Sequence, residues 1–221
     1  IMTIEDPVEY TFDSINQMQI NVQAGVTFAS GLRSILRQDP DVILVGEIRD
    51  VDTARIAVQS ALTGHFVLSS LHATDAVAAL HRLLDMGIET FLVASSITGV
   101  IAQRLVRRIC PYCVEPYEPN PEERAFLAAL GGRDPAGGFR HGAGCNFCTQ
   151  TGFLDRVGVY ELLSVTDEIR ELVLSRAAHD DVRKVAQSEG MSTLQEEALR
   201  LVDAGITTVA EVMRSIYLVG G

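Results

Sequence analysis

Residues 42–45 are four aliphatics in a row, Val42, Ile43, Leu44 and Val45, and the run stops at Gly46 and Glu47 in "DVILVGEIRD". A strand that is apolar at every position does not suit a sheet with one face in water. It suits a parallel strand covered by helices on both faces of an α/β layer. Ligands of open parallel sheets collect at the carboxyl ends of the strands. The run therefore predicts a buried strand that delivers the Glu47 carboxylate to a crevice, with Arg49 and Asp50 just behind it.

The first 108 residues repeat this alternation of short apolar runs and amphipathic stretches, the pattern of an α/β domain with a mainly parallel sheet. Strands are expected at Ile1–Ile4, Val42–Val45 and Phe66–Ser70. A helix is expected in "TFASGLRSILRQ", with Thr27 as its cap and Phe28, Leu32, Ile35 and Leu36 on one side. A second should start at Asp52 or Thr53 and end at Gly64, and a third should be capped by Thr74 or Asp75 and stopped by Gly87. The first strand also ends in carboxylates, Glu5 and Asp6, with Glu9 beyond the strand-breaking Pro7. Two parallel strands that deliver acid at the same end can hold a metal and an attacking water between them. The third strand has His65 before it and His72 after it, and a histidine past a strand end can meet a phosphate or position water.

Net charge is -11, which repels nucleic-acid backbones and anionic lipid surfaces, so neither is an expected partner. No apolar run approaches the roughly 18–20 residues of a membrane span. "IMTIEDPVEY" has no charged leader with an apolar core, and the chain is expected to begin inside a domain. The single lysine, Lys184, leaves no G-K-[ST]. Arg104, Arg107 and Arg108 in "QRLVRRIC" recur at three- and four-residue spacing, which predicts one helix face that is solvated or meets another subunit.

From residue 109 to about 152 the texture changes to proline, glycine and cysteine. The four cysteines form "CPYC" (Cys110, Cys113) and "CNFC" (Cys145, Cys148), with 31 residues between the pairs. A C-x-x-C turn points two thiolates at one ion, and two turns complete the tetrahedral four-thiolate site that zinc prefers. Disulfides are the alternative, weakened by the lack of a secretory signal. No water-activating group lies beside the cysteines, so the metal is expected to be structural. His141 is a further candidate ligand or a surface residue, and "PEERAFLAAL" is expected as a helix inserted between the pairs. "RVGVYELL" alternates like a half-exposed strand. Four helices are expected after it, at 167–177, 180–189, 194–204 and 208–216.

Together, "TIEDPVEY", "LRQDPDVILVGEIRD", "TGHFVLSSLHATDA" and "RLVRRICPYC…CNFC…TGFLDRVGVYELL" closely resemble the type II secretion and type IV pilus assembly ATPases, over essentially all 221 residues. The resemblance implies a partial RecA-like P-loop NTPase core at 1–108, a tetracysteine zinc lobe with the following strand at 109–163, and a helical C-terminal region at 164–221. It also implies ATP, Mg2+ and structural Zn2+ as cofactors, and a homo-hexamer at the cytoplasmic face of the inner membrane. Attachment there would run through the platform proteins of a secretion or pilus machine.

By motif, Glu5 resembles the key acid of the family's Asp box, with Asp6 and Glu9 beside it. Gly46 and Glu47 resemble an atypical Walker B, in which glycine replaces the usual aspartate and the glutamate polarises water or holds magnesium. His65 and His72 resemble its His box, and Arg33, Arg37 and Arg49 fall where the family is arginine-rich around the nucleotide and the subunit boundary. Glu47, Glu5 and His72 are thus the expected catalytic residues. The departure is the phosphate-binding G-x-x-x-x-G-K-[ST], expected before Ile1, without which this stretch alone should hydrolyse ATP poorly or not at all. A rival reading is a zinc-stabilised partner-docking module without activity of its own. A nucleic-acid translocase would need a basic channel.

Overall fold

The computed structural model describes residues 1–217. The chain divides into two compact units, one of residues 1–100 with 163–188 and the other of 101–162 with the residues from 189 onward. The helices expected as one C-terminal region are therefore shared between the two units.

The first unit is built on a four-stranded parallel sheet in the order β2-β1-β3-β4, with β1 at Met2–Glu5, β2 at Asn16–Gln19, β3 at Val42–Val45 and β4 at Phe66–Ser69. Met2 lies opposite Ile43 and Ile4 opposite Val45, while Val45 lies opposite Ser69. This register puts Met2, Ile4, Ile43 and Val45 on one face. Helices α1 (Phe28–Ile35) and α2 (Val51–Leu62) supply Leu32, Ile35 and Ala57 to the core on that face. The other face carries Thr3, Glu5, Val42 and Leu44, and ends in the exposed Phe66 and Leu68. The expectation of a strand covered equally on both sides is thus corrected: Ile43 and Val45 are fully buried, Val42 and Leu44 only partly.

The helix caps follow simple side-chain chemistry. Thr27 caps α1 in a reciprocal pair with Ser30, as expected. Helix α2 begins earlier than expected, because the Asp50 carboxylate accepts the Thr53 N–H and hydroxyl, both at 2.8 Å. Asp75 caps α3 (Ala76–Asp85), and α4 (Thr90–Ser96) follows. The chain returns to this unit with α6 (Asp167–Leu174) and α7 (His179–Ser188), whose Ile169, Val173 and Val182 are buried.

The second unit contains most of β5 (Gly99–Ile109) and β8 (Phe153–Ser164), which form a two-stranded sheet. The expected helix through "QRLVRRIC" is a strand. The β-branched Val100, Ile101, Val106 and Ile109 favour it, and the period of two places Arg107 on the face opposite Arg104 and Arg108. Arg107 is half-exposed and held from within the unit. Its backbone N–H, Nε and Nη2 donate to the Glu211 carboxylate at 3.0, 2.9 and 2.7 Å, and its guanidinium lies 4.1 Å from the centre of the Phe153 ring. Helix α5 (Pro121–Ala129) stands between the short antiparallel strands β6 (Val114–Pro116) and β7 (Arg140–Gly142). Helices α8 (Leu194–Asp203) and α9 (Val209–Val212) pack Leu194, Ala198, Val202, Val209 and Val212 onto Val106 and Val159. Among the described residues no helix is long and apolar enough to cross a membrane.

Candidate functional site

Parallel pairing of β1 with β3 makes Glu5 and Gly46 neighbours at the carboxyl edge of the sheet, where the Gly46 N–H donates to Ile4 O at 2.8 Å. The following loop is tied to the strand on its other side. Ile48 N donates to Ser70 O at 3.0 Å, and the Ser70 hydroxyl donates to Gly46 O at 2.7 Å. These bonds hold Glu47 at the crevice with 17% of its side chain exposed. Its Oε1 is 2.5 Å from Arg49 Nη2, and its Oε2 is 3.8 Å from Nε2 of His72, whose side chain is 94% exposed. The Arg49 guanidinium is pushed above its ordinary value, chiefly by the hydrogen bond to Glu47, then by that carboxylate's charge and, more weakly, by Asp6.

Glu5 is fixed from the β2 side. The Thr3 hydroxyl and Gln17 Nε2 donate to its Oε1 at 2.5 and 3.1 Å. Asp6 and Glu9 are exposed in the segment that follows.

The structure thus brings Glu5, Asp6, Gly46, Glu47, Arg49 and His72 to one edge. It does not bring His65 there. His65 precedes β4 at the amino edge, with Nδ1 3.0 Å from Ser60 O at the end of α2, and a four-residue strand of about 13 Å separates it from Ser70. Arg33 and Arg37 also lie elsewhere. Helix α1 starts beside Gly46 at Phe28 and runs away from that edge, leaving both arginines exposed near its far end. Thr3, Gln17 and Ser70 were missed in the sequence. Thr3 and Glu5 sit two apart on one strand face, a signal that was available; Gln17 lay in an unrecognised strand.

The four cysteines form a second constellation, entirely within the second unit. Their sulfurs all lie within 4.8 Å of one another, with Cys110–Cys145, Cys113–Cys148 and Cys145–Cys148 separations of 3.8, 3.9 and 3.7 Å. A tetrahedron with Zn–S bonds of about 2.3 Å has edges of about 3.8 Å, so the donor set fits zinc. A disulfide needs about 2.05 Å, and all four thiols are free. Close backbone approach brings the turns together: a Cβ on Gly142 would sit 2.1 Å from Gly152 O, the same carbonyl that accepts the Cys110 N–H at 2.9 Å. Burial alone would raise the Cys148 thiol, but the N–H groups of Cys145 and Gly152 and the adjacent thiols outweigh it and draw the group down to about 6. Cys113 is pushed up to about 12 by burial, opposed by the Gly144 N–H and reinforced by the other thiols. His141 does not join the cluster; its Nε2 lies 3.1 Å from Glu115 Oε1.

The family model described as type II/IV secretion system protein matches residues 1–214. The chain belongs to this family. The type II secretion system ATPase E of Vibrio cholerae serotype O1 is 49% identical over 214 residues, 97% of this chain and 42% of that protein. The type IV pilus assembly ATPase PilB of Thermus thermophilus is 46% identical over 211 residues, 96% of this chain and 24% of that protein. Among solved structures, the pilus retraction motor PilT with bound ADP superposes with a TM-score of 0.67 at 28% identity, over 97% of this chain and 51% of that one. The chain thus spans less than half the length of these two curated relatives.

In this secretion-family chain the geometry also accounts for Gly46. A Cβ there would lie 3.1 Å from Ile4 O and 3.3 Å from Glu5 Cα, so an aspartate would press against the backbone of β1. The carboxylate at the strand tip must then come from the next residue, Glu47, with Glu5 beside it. Such an edge can bind a hydrated cation and accept a proton from water. Its exposed guanidinium and imidazole, Arg49 and His72, can meet an anionic substrate once drawn from Glu47.

Proposed function

We propose that the whole protein hydrolyses ATP and that this chain carries the acid wall of the nucleotide site. The observation that supports it most directly is Glu47, set beside Glu5 at the carboxyl edge and bracketed by Arg49 and His72. In this reading Glu47 accepts a proton from the attacking water or holds the cation, Glu5 shares the cation, and His72 orients water or a γ-phosphate oxygen. Bound Mg2+–ATP supplies the electrophilic phosphoryl group and the charge that lowers the water pKa. Asp6 and Glu9 extend the negative edge, Gly46 leaves room for it, and Arg49 holds Glu47 until the nucleotide competes for it. His65 acts from a distance, by finishing helix α2 under the β4 strand. No G-x-x-x-x-G-K-[ST] lies within these 221 residues, and Lys184 pairs with Asp181 on an exposed helix face, so the phosphate cradle would come from outside them.

The proposal includes a homo-hexamer in which Arg33 and Arg37, turned away from their own Glu47, face a neighbouring subunit. It places the assembly at the cytoplasmic face of the inner membrane, on platform proteins of a secretion or pilus machine, with Zn2+ held structurally by Cys110, Cys113, Cys145 and Cys148.

The test is Glu47→Gln in the full-length protein. ATP turnover should fall on the order of 10²–10⁴-fold while nucleotide binding persists. Turnover equal to wild type would end the assignment.

A further inference from the structure

His179 opens α7 on the segment that returns to the first unit, and its Nε2 lies 3.0 Å from Oδ1 of Asp75, 104 residues earlier in the chain. That oxygen already accepts the Ala78 N–H at 2.8 Å as the cap of α3. Asp75 is held below its usual range: burial pushes it up, but the Ala78 N–H and the hydrogen bond and charge of His179 outweigh this. The groups around the imidazole are Asp75 and His81 on the α3 side, the latter with its ring centre 6.0 Å away, and Asp180 and Arg183 on α7.

The position of this contact in the chain gives it consequence. Residues 70–75 form the short connection between β4 and α3. At one end Ser70 is bonded to Gly46 and Ile48; at the other stands Asp75; between them is His72. The His72 side chain is almost wholly exposed, so nothing packs around it to hold it 3.8 Å from Glu47. Its place follows from its connection, in which the flanking Leu71 and Ala73 are half-buried and both ends are bonded.

We propose that His179 is a positioning residue for the hydrolytic site: by donating to Asp75 it anchors the far end of the 70–75 connection and so fixes His72 against Glu47. This rests on the reading of Glu47 and His72 given above. It makes the returning segment, distant in sequence, part of the support of the reacting edge. A loose anchor lets His72 drift while leaving the nucleotide contacts in place, so the loss should appear in kcat and not in KM.

The experiment compares His179→Phe, which keeps the ring volume without the N–H, with His179→Gln, which keeps a donor near the Nε2 position. Both are made in the full-length protein, alone and combined with His72→Ala, with ATP turnover and melting temperature measured on each. His179→Phe should lower kcat roughly fivefold to tenfold with KM for ATP within about twofold, the scale of a small misplacement. His179→Gln should recover most of that loss, and in the His72→Ala background His179→Phe should cost nothing further. Unchanged turnover in His179→Phe, or the same loss in both backgrounds, overturns the proposal. If His179→Phe does not fold, His179→Asn decides: its shorter amide falls short of Asp75 while the α3 cap stays intact, and its expected loss of at least about twofold must vanish in the His72→Ala background. Glu47→Gln run alongside separates the two claims, since full turnover in that variant would overturn the hydrolytic reading itself.

Discussion

Glu47 and Glu5 occupy adjacent strand tips, yet each is held by a different kind of partner. Glu47 meets charge, from Arg49 and, when protonated, His72, whereas Glu5 accepts from the neutral Thr3 hydroxyl and Gln17 amide. In the proposed reading, the neutral partners leave the charge of Glu5 available to a cation, while Arg49 would have to release Glu47 before that carboxylate acted as a base. Arg49→Ala should therefore weaken nucleotide-dependent control of turnover and raise the basal rate relative to binding, a ratio read from turnover at saturating ATP against affinity. Unchanged values would mean that the Arg49 contact has no role in the cycle. These two acids were legible in the sequence because an apolar run marks where a strand ends. His65 and His72 fall on either side of the third strand in the sequence pattern, and β4 does send them to opposite edges; the nucleotide role of His65 rests on the resemblance of its motif alone. Ser70 and Gln17 gave no signal, because their roles depend on strand pairing.

Among the secondary-structure elements, the clearest departure from the sequence pattern is β5. Spacing of arginines at three and four residues mimics a helix face, while the β-branched residues of the same segment favour the strand that pairs with β8 and docks α9. The same docking buries Glu211, 1% exposed, which accepts from both Arg107 and Arg214. Burial pushes its carboxyl up, but the hydrogen bonds from Arg214 and Arg107 prevail and lower it from an ordinary 4.5 to about 2. Because the folded value lies below the unfolded one, this stabilisation is fully present above about pH 5 and is lost as pH falls toward 2, a contribution of roughly 3 kcal/mol. Glu211→Ala should cost about 2–3 kcal/mol at neutral pH, since it removes the shared acceptor of the half-exposed Arg107 and Arg214. Denaturant melts of the two chains check this, and a loss below about 1 kcal/mol would show that the cluster is dispensable. Strand β2 was unreadable for another reason: "NQMQ" has one apolar residue and becomes a strand only through its pairing with β1.

At the scale of the whole molecule, the change of composition near residue 109 falls inside the second unit, which begins at residue 101, whereas the cysteine spacing was enough to anticipate the four-sulfur cluster. The return of residues 163–188 to the first unit was hidden, because the contacts that decide it, such as His179 with Asp75, span about a hundred positions. In the second unit, strands β6 and β7 of three residues each cannot stand without a staple. Elemental analysis should find one zinc per chain, and chelation should lower the melting temperature of the second unit's transition; an unchanged melt would deny the metal a structural role. The central claim is that acids on two neighbouring parallel strands serve one reacting centre. Its most direct test is ATP turnover of full-length Glu5→Gln, Glu47→Gln and the double variant. The account predicts that the double variant loses little more than the worse single, since both act on the same step. Losses that multiply in full would contradict it.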